Sequence, residues 1–209
     1  FIGAFDECWV PDVTGEPNLS GELWHDLRGF KNLGGLNLKY LGALSRMHHF
    51  ETEKKHSAIA VLSGPEPQRT LLEQEIIEQA KKLPQRFLIV QGKTEKQERF
   101  LISENIEIVS YLTSEDLNKA ILASGIFIGR SGYSTIMDLA KLGKPALLVP
   151  TPGQTEQEYL AGKFFQEGIF NTQKQGKINI GQALAGAANF RGLADDFSDE
   201  HLLKQAVMG

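Results

Sequence analysis

The chain is predicted to fold as an α/β protein, a Rossmann-like three-layer domain with a parallel sheet. Three observations predict it. Short runs that are apolar throughout recur from residue 57 onward, helix-length segments with an apolar stripe separate most of them, and glycines and prolines mark the junctions. Strands without polar alternation need cover on both faces, and intervening helices supply it, with right-handed crossovers.

The first part of the chain stands apart. A short strand around Cys8–Val10 stops at Pro11, and a turn-rich stretch from Pro11 to Asn18 follows. A second short strand, Leu38–Leu41, ends at Gly42. Residues 1–56 therefore read as the end of a preceding domain and the connection into the next. The chain opens without Met, in what looks like mid-strand, and is expected to be a piece of a longer protein.

The regular alternation occupies 57–188. Ser57–Ser63 is the first strand, and residues 68–82 make a helix with Leu71, Leu72, Ile76, Ile77 and Ala80 on one face. Arg86–Val90 and Ile106–Tyr111 are the next strands. A helix over 114–124 carries Glu115 and Asp116 in its first turn, where acidic residues meet the positive helix end. Ile126–Ile128 leads through Gly129-Arg130-Ser131-Gly132 into a helix that ends near Leu142-Gly143. Pro145–Val149 is the fifth strand, halted by Pro150 and Pro152, and a helix over 155–167 presents Tyr159, Leu160, Phe164 and Phe165 on one side. Residues 189–209 form a tail with a last helix over Asp199–Val207.

Composition excludes several functions. A net charge of −4 on 209 residues argues against a nucleic-acid partner, which needs concentrated Lys and Arg. The single cysteine, Cys8, rules out an intrachain disulfide, and its neighbours Asp6 and Glu7 disfavour a thiolate, so it is expected to be buried and inert. His48 and His49 lack a second ligand pair at zinc spacing and read as connector residues, and no metal site or cofactor is expected. No Gly-x-Ser-x-Gly elbow anchors a hydrolase triad. No apolar run approaches the roughly 20 residues of a spanning helix.

Ligands of such sheets bind beyond the carboxyl ends of the strands, which directs attention to loops 63–69, 91–96, 111–115, 129–134 and 150–158. In Gly129-Arg130-Ser131-Gly132-Tyr133-Ser134-Thr135 the glycines allow close backbone approach to a phosphate at a helix start. Arg130 adds positive charge, and Ser131, Ser134 and Thr135 add hydroxyls. The same residues also suit a capped helix behind a tight turn. One turn on, Asp138 can accept from both hydroxyls of a ribose, or simply favour the helix start. Gln154, Gln157 and Glu158 can bond sugar hydroxyls, or form a solvated first turn. Ser63 and Gly64 can touch phosphate, although Pro65 and Pro67 remove backbone donors.

The run Ile128-Gly129-Arg130-Ser131-Gly132-Tyr133-Ser134-Thr135-Ile136-Met137-Asp138-Leu139-Ala140, with Gly143-Lys144-Pro145 and the following strand, resembles the C-terminal donor domain of family 28 glycosyltransferases. These enzymes have the two-domain GT-B fold, of which this chain would be the C-terminal half. The resemblance is strong over about 105–165 and looser over 57–104. It implies a UDP-sugar donor in 57–188, with Ser131, Gly132, Ser134 and Thr135 bordering the diphosphate and Asp138 where the family has a ribose-binding Glu. Leu112 would meet the uracil through its backbone, Gln157 matches a sugar-binding Gln, and Glu158 stands in place of a second Gln. Ser63-Gly64 matches the first glycine-rich loop in part. The implied reaction is an inverting, metal-independent hexosyl transfer to an acceptor hydroxyl, lipid-linked or saccharide. The catalytic base would lie on a preceding N-terminal domain, and the enzyme would be cytoplasmic, able to sit on the inner face of the membrane. A nucleotide-sugar hydrolase or epimerase, or a non-catalytic nucleotide-binding domain, are the alternatives.

Overall fold

The computed structural model describes residues 6–25, 37–193, 197 and 200–208; the portions of the 1–56 and 189–209 expectations that fall elsewhere lie outside the described residues. Among the described residues there are two sheets. β1 (Glu7–Val10) and β2 (Asn37–Tyr40) pair in parallel as a small sheet of their own, with a short helix, α1 (Glu22–His25), between them in sequence. The main sheet uses β3 (His56–Val61), β4 (Phe87–Val90), β5 (Arg99–Ser103), β6 (Ile106–Val109), β7 (Ser124–Gly129), β8 (Ala146–Leu148) and β9 (Asn171–Thr172). Its order is β5-β6-β4-β3-β7-β8-β9. Every pairing in it is parallel except β5 on β6, so the predicted parallel sheet carries one antiparallel edge strand.

The helices are α2 (Gln68–Ala80), α3 (Ser114–Leu122), α4 (Tyr133–Leu142), α5 (Thr155–Gln166), α6 (Ile180–Ala185) and α7 (Glu200–Met208). Alternate strand residues point to opposite faces and build two cores. Ala58, Ala60, Ile89 and Ile128 pack with Leu72, Ile76 and Ala80 of α2 and with Ile180 and Ala183 of α6. Ile59, Leu88, Val109 and Phe127 pack with Ile121 of α3, Ile136 and Leu139 of α4, and Leu160 and Phe164 of α5. Leu19, Ala43 and Met47, from the leading segment and connection, join this second core. Burying a side chain the size of Leu or Met contributes about 1.5–3 kcal/mol, so Leu19 and Met47 fasten the segment firmly.

The helix ends follow local chemistry. Thr113 caps α3 by accepting from the Asp116 N–H, and Asn179 caps α6 by accepting from Gln182. Gly143 ends α4 with φ +57, a conformation a side chain disfavours. Gly92, just after β4, has φ +70, and a Cβ there would lie 2.6 Å from the Leu62 carbonyl.

Three side-chain expectations are corrected. Leu71 is 47% exposed and Phe165 51% exposed, because each lies about 100° around the helix from its buried neighbour, Leu72 or Phe164. Phe165 instead meets Phe190, their ring centroids 6.0 Å apart. Cys8 is half-buried rather than buried: Val10, two residues on along the same face, is where β1 enters the core. His48 and His49 are exposed, as connector residues should be. Among the described residues no helix is long and apolar enough to cross a membrane.

Candidate functional site

From β3 the chain proceeds to β4 and β6 on one side, then returns through α3 to β7 on the other. The sheet therefore opens at the carboxyl ends of β3 and β7, the position where such folds bind ligands. Val61 is paired with Gly129, so the loop carrying Ser63-Gly64 and the loop carrying Arg130-Ser131-Gly132 leave the sheet side by side. Gly129 is needed there, since a Cβ would come within 2.6 Å of the Phe127 ring and 3.1 Å of the Val61 carbonyl.

The start of α4 has no side-chain cap, and its N-cap residue is Gly132. The N–H groups of its first turn therefore lack the partner that Thr113 gives α3. Ser134 is exposed, while Gly132 and Thr135 are half-buried. Across the opening, the N–H groups of Ser63 and Gly64 find no acceptor among the described residues. Two sets of unpaired donors thus flank one corner, an arrangement that favours an anion.

Loop 150–154 closes a third side. The Ser131 hydroxyl donates to the Gln157 carbonyl (2.7 Å), and the Thr151 N–H donates to Gln157 Oε1 (2.9 Å). Gln157 Nε2 donates to Gln154 Oε1 (2.5 Å). Ser131, Gln154 and Gln157 are thereby brought together with Thr151, a residue not singled out by sequence although it lies within a flagged loop. Glu158 is held separately: its Oε1 accepts from the Gly153 N–H (3.1 Å), and it lines a cavity of about 440 Å³ with Pro152, Gly162 and Lys174.

Arg130, expected to add positive charge to the phosphate loop, directs that charge at backbone carbonyls. It is 1% exposed, and its guanidinium donates to the carbonyls of Val149 (3.1 Å), Pro150 (3.2 Å) and Gln68 (2.8 Å) and to Gln175 Oε1 (2.7 Å). Burial lowers its pKa to about 10, which leaves it charged at neutral pH. It ties the loops after β3 and β8 to the loop after β7.

Asp138, half-buried, accepts from the Ser45 hydroxyl (2.6 Å). Burial raises its pKa, and the Ser45 bond and Arg46 oppose that rise. The connection thus reaches the residue expected to meet a ribose. Leu112 stands beyond β6, three strand positions from β7 and so about 14 Å away at ~4.8 Å per strand. It is half-buried and lines a groove of about 780 Å³ together with Phe50, His56, Lys119 and Ala120.

The leading segment is bolted to α4 and α5, which no sequence pattern announced. Tyr133, first residue of α4, donates to the Pro11 carbonyl (2.9 Å). The Glu22 N–H donates to Tyr159 Oη (2.7 Å), and Lys163 Nζ to the Asn18 carbonyl (3.1 Å). Asp12 organises this loop: fully buried, it accepts from the N–H groups of Val13 (2.8 Å), Leu19 (3.0 Å) and Ser20 (2.8 Å) and from the Ser20 hydroxyl. Burial alone would raise the Asp12 pKa, but these bonds outweigh it and hold the carboxyl below its usual value.

Residues 58–179 match the glycosyltransferase family 28 C-terminal domain. Over an alignment 159 residues long the chain is 30% identical to the UDP-N-acetylglucosamine–N-acetylmuramyl-(pentapeptide) pyrophosphoryl-undecaprenol N-acetylglucosamine transferase of Methylorubrum populi, covering 64% of this chain and 42% of that protein. A shorter stretch of 47 residues is 45% identical to the protein of the same name from Methylobacterium radiotolerans, covering 22% of this chain and 13% of that one. The chain thus spans less than half the length of these curated relatives. Among solved structures, Acinetobacter baumannii MurG aligns with a TM-score of 0.51 and 16% identity, over 83% of this chain and 57% of its own. The glycotransferase of kitacinnamycin aligns with a TM-score of 0.53 and 13% identity, over 82% and 44%. At such identities these structures speak for the fold, which is that of the GT-B glycosyltransferases. With the family match covering more than half its length, the chain belongs to the glycosyltransferase family 28 C-terminal domain family.

Proposed function

We propose that this domain binds the UDP-sugar donor of an inverting, metal-independent glycosyltransferase that moves a hexosyl group to an acceptor hydroxyl. The observation that carries the reading is the corner where the uncapped start of α4 meets the unpaired N–H groups of Ser63 and Gly64. A diphosphate seated there would be held by Gly132, Ser134, Thr135, Ser63 and Gly64. The ribose would lie toward Asp138, the uracil toward the Leu112 backbone, and the hexose toward Gln154, Gln157 and Glu158.

As the acceptor oxygen attacks the anomeric carbon from the opposite face, the bond to the β-phosphate breaks and UDP leaves with the electron pair. The negative charge then gathers on oxygens surrounded by fixed N–H dipoles and a helix start, which need no reorganisation to stabilise it. Arg130, charged beneath the loops, adds to this field without touching the ligand. The acceptor, saccharide or lipid-linked, and the base that deprotonates it are assigned to a preceding domain. Residues 1–56 would be the end of that domain and the connection, 57–188 the donor domain, and 189–209 a C-terminal tail. We place the enzyme in the cytoplasm, with peripheral contact to the membrane where its acceptor is lipid-linked. Calorimetric titration with UDP, GDP and dTDP tests the reading: saturable one-to-one binding of UDP, weaker for the other two, is expected. Failure to bind any of them would remove the assignment.

A further inference from the structure

The buried hydroxyl of Thr151 is left over by the fold. Thr151 is 2% exposed, and its Oγ1 has no hydrogen-bond partner. The backbone around it is already engaged: its N–H donates to Gln157 Oε1, and the preceding carbonyl, that of Pro150, accepts from Arg130. The hydroxyl faces Gly64: a Cβ built on that glycine would lie 3.7 Å from Oγ1. Gly64 is itself exposed, has φ +99, and carries an N–H without an acceptor. A second buried atom in the same set of loops, Arg130 Nε, is also unpartnered.

An unpaired buried hydroxyl destabilises a fold relative to an isosteric methyl group, so valine would serve packing better at this position. A hydroxyl that donates to an anion, above a buried guanidinium and beside unpaired N–H groups, gains what the empty fold withholds. We infer that Thr151 is a donor-positioning residue whose hydroxyl bonds a non-bridging diphosphate oxygen, with the Ser63-Gly64 loop lying over it as a flap that the ligand lifts. This inference rests on the donor reading above, and adds a residue and a movement to it.

The test pairs calorimetric titration with UDP and thermal unfolding without ligand, on the wild-type chain, Thr151→Val and Thr151→Ser. Thr151→Val should bind UDP about tenfold more weakly, the loss of one charge-assisted hydrogen bond, while its unliganded melting temperature rises by about 2–4 °C. Thr151→Ser should keep wild-type affinity. If the wild type binds UDP and Thr151→Val binds it equally well, the role of Thr151 is refuted while the donor site stands. If Thr151→Val melts lower, the hydroxyl has a structural partner and the inference also fails. If the wild type does not bind UDP, the donor reading falls first.

Discussion

Replacing Asp138 with alanine is the perturbation whose size follows most directly from the geometry. In the unliganded protein one carboxylate oxygen accepts from the Ser45 hydroxyl at 2.6 Å. A ribose diol would donate to both oxygens, each bond to a charged acceptor contributing about 1.5–3 kcal/mol, but Ser45 must then be released at a similar cost. The net contribution is one such bond, so Asp138→Ala should weaken UDP binding by about 10–100-fold. Ser45→Ala removes the competitor and should tighten binding by a similar factor, about 10–100-fold. Burial raises the Asp138 pKa, so the wild-type affinity should fall with decreasing pH sooner than for an ordinary aspartate. The alanine variant should lose that dependence. Calorimetry at several pH values reads all three effects. Unchanged UDP affinity in Asp138→Ala would refute the ribose contact.

Other consequences concern the fold that holds the site. Asp12→Ala strands the buried N–H groups of Leu19 and Ser20, the half-buried N–H of Val13 and the Ser20 hydroxyl, and should lower stability in urea unfolding by about 3–5 kcal/mol. Because its folded pKa is lowered, the Asp12 contribution is complete above the unfolded value and disappears as the pH falls through the folded one, so wild type and variant should converge in acid; a constant gap would contradict this. Lys54 and Lys144 both donate to the carbonyls of Leu122 and Ser124, and burial together with Lys54 lowers the Lys144 pKa from 10.5 to about 7. Between those values the unfolded chain binds one more proton than the folded chain, so stability rises with pH, by at most about 1.4 kcal/mol per unit. Lys54→Met should flatten that slope, and an unaltered slope from pH 7 to 10 would show that the two amines do not interact.

Much of the sheet was legible because a strand covered on both faces must be apolar throughout: Ser57–Ser63 overlaps β3 in all but its first residue, and Arg86–Val90 and Pro145–Val149 contain β4 and β8. β5 escaped because Arg99–Ser103 is an edge strand, with Phe100, Leu101 and Ile102 all exposed, and has no burial pattern to read. β9 is two residues long and owes its place to β8. In the site, residue types and loops were readable, but side-chain direction was not. Arginine in a glycine-rich loop suits a phosphate or a set of carbonyls equally, and only the packing of three loops decides that Arg130 serves carbonyls. Ser45 and Tyr133 acquire their roles from contacts 93 and 122 residues away, which no local pattern encodes.

The most direct measurement is an amide NMR titration of the chain with UDP. The largest shifts are expected at Gly132, Tyr133, Ser134 and Thr135, at Ser63 and Gly64 across the corner, and at Leu112. Saturating shifts confined to another part of the surface, or none at millimolar UDP, would contradict a diphosphate seat at the start of α4.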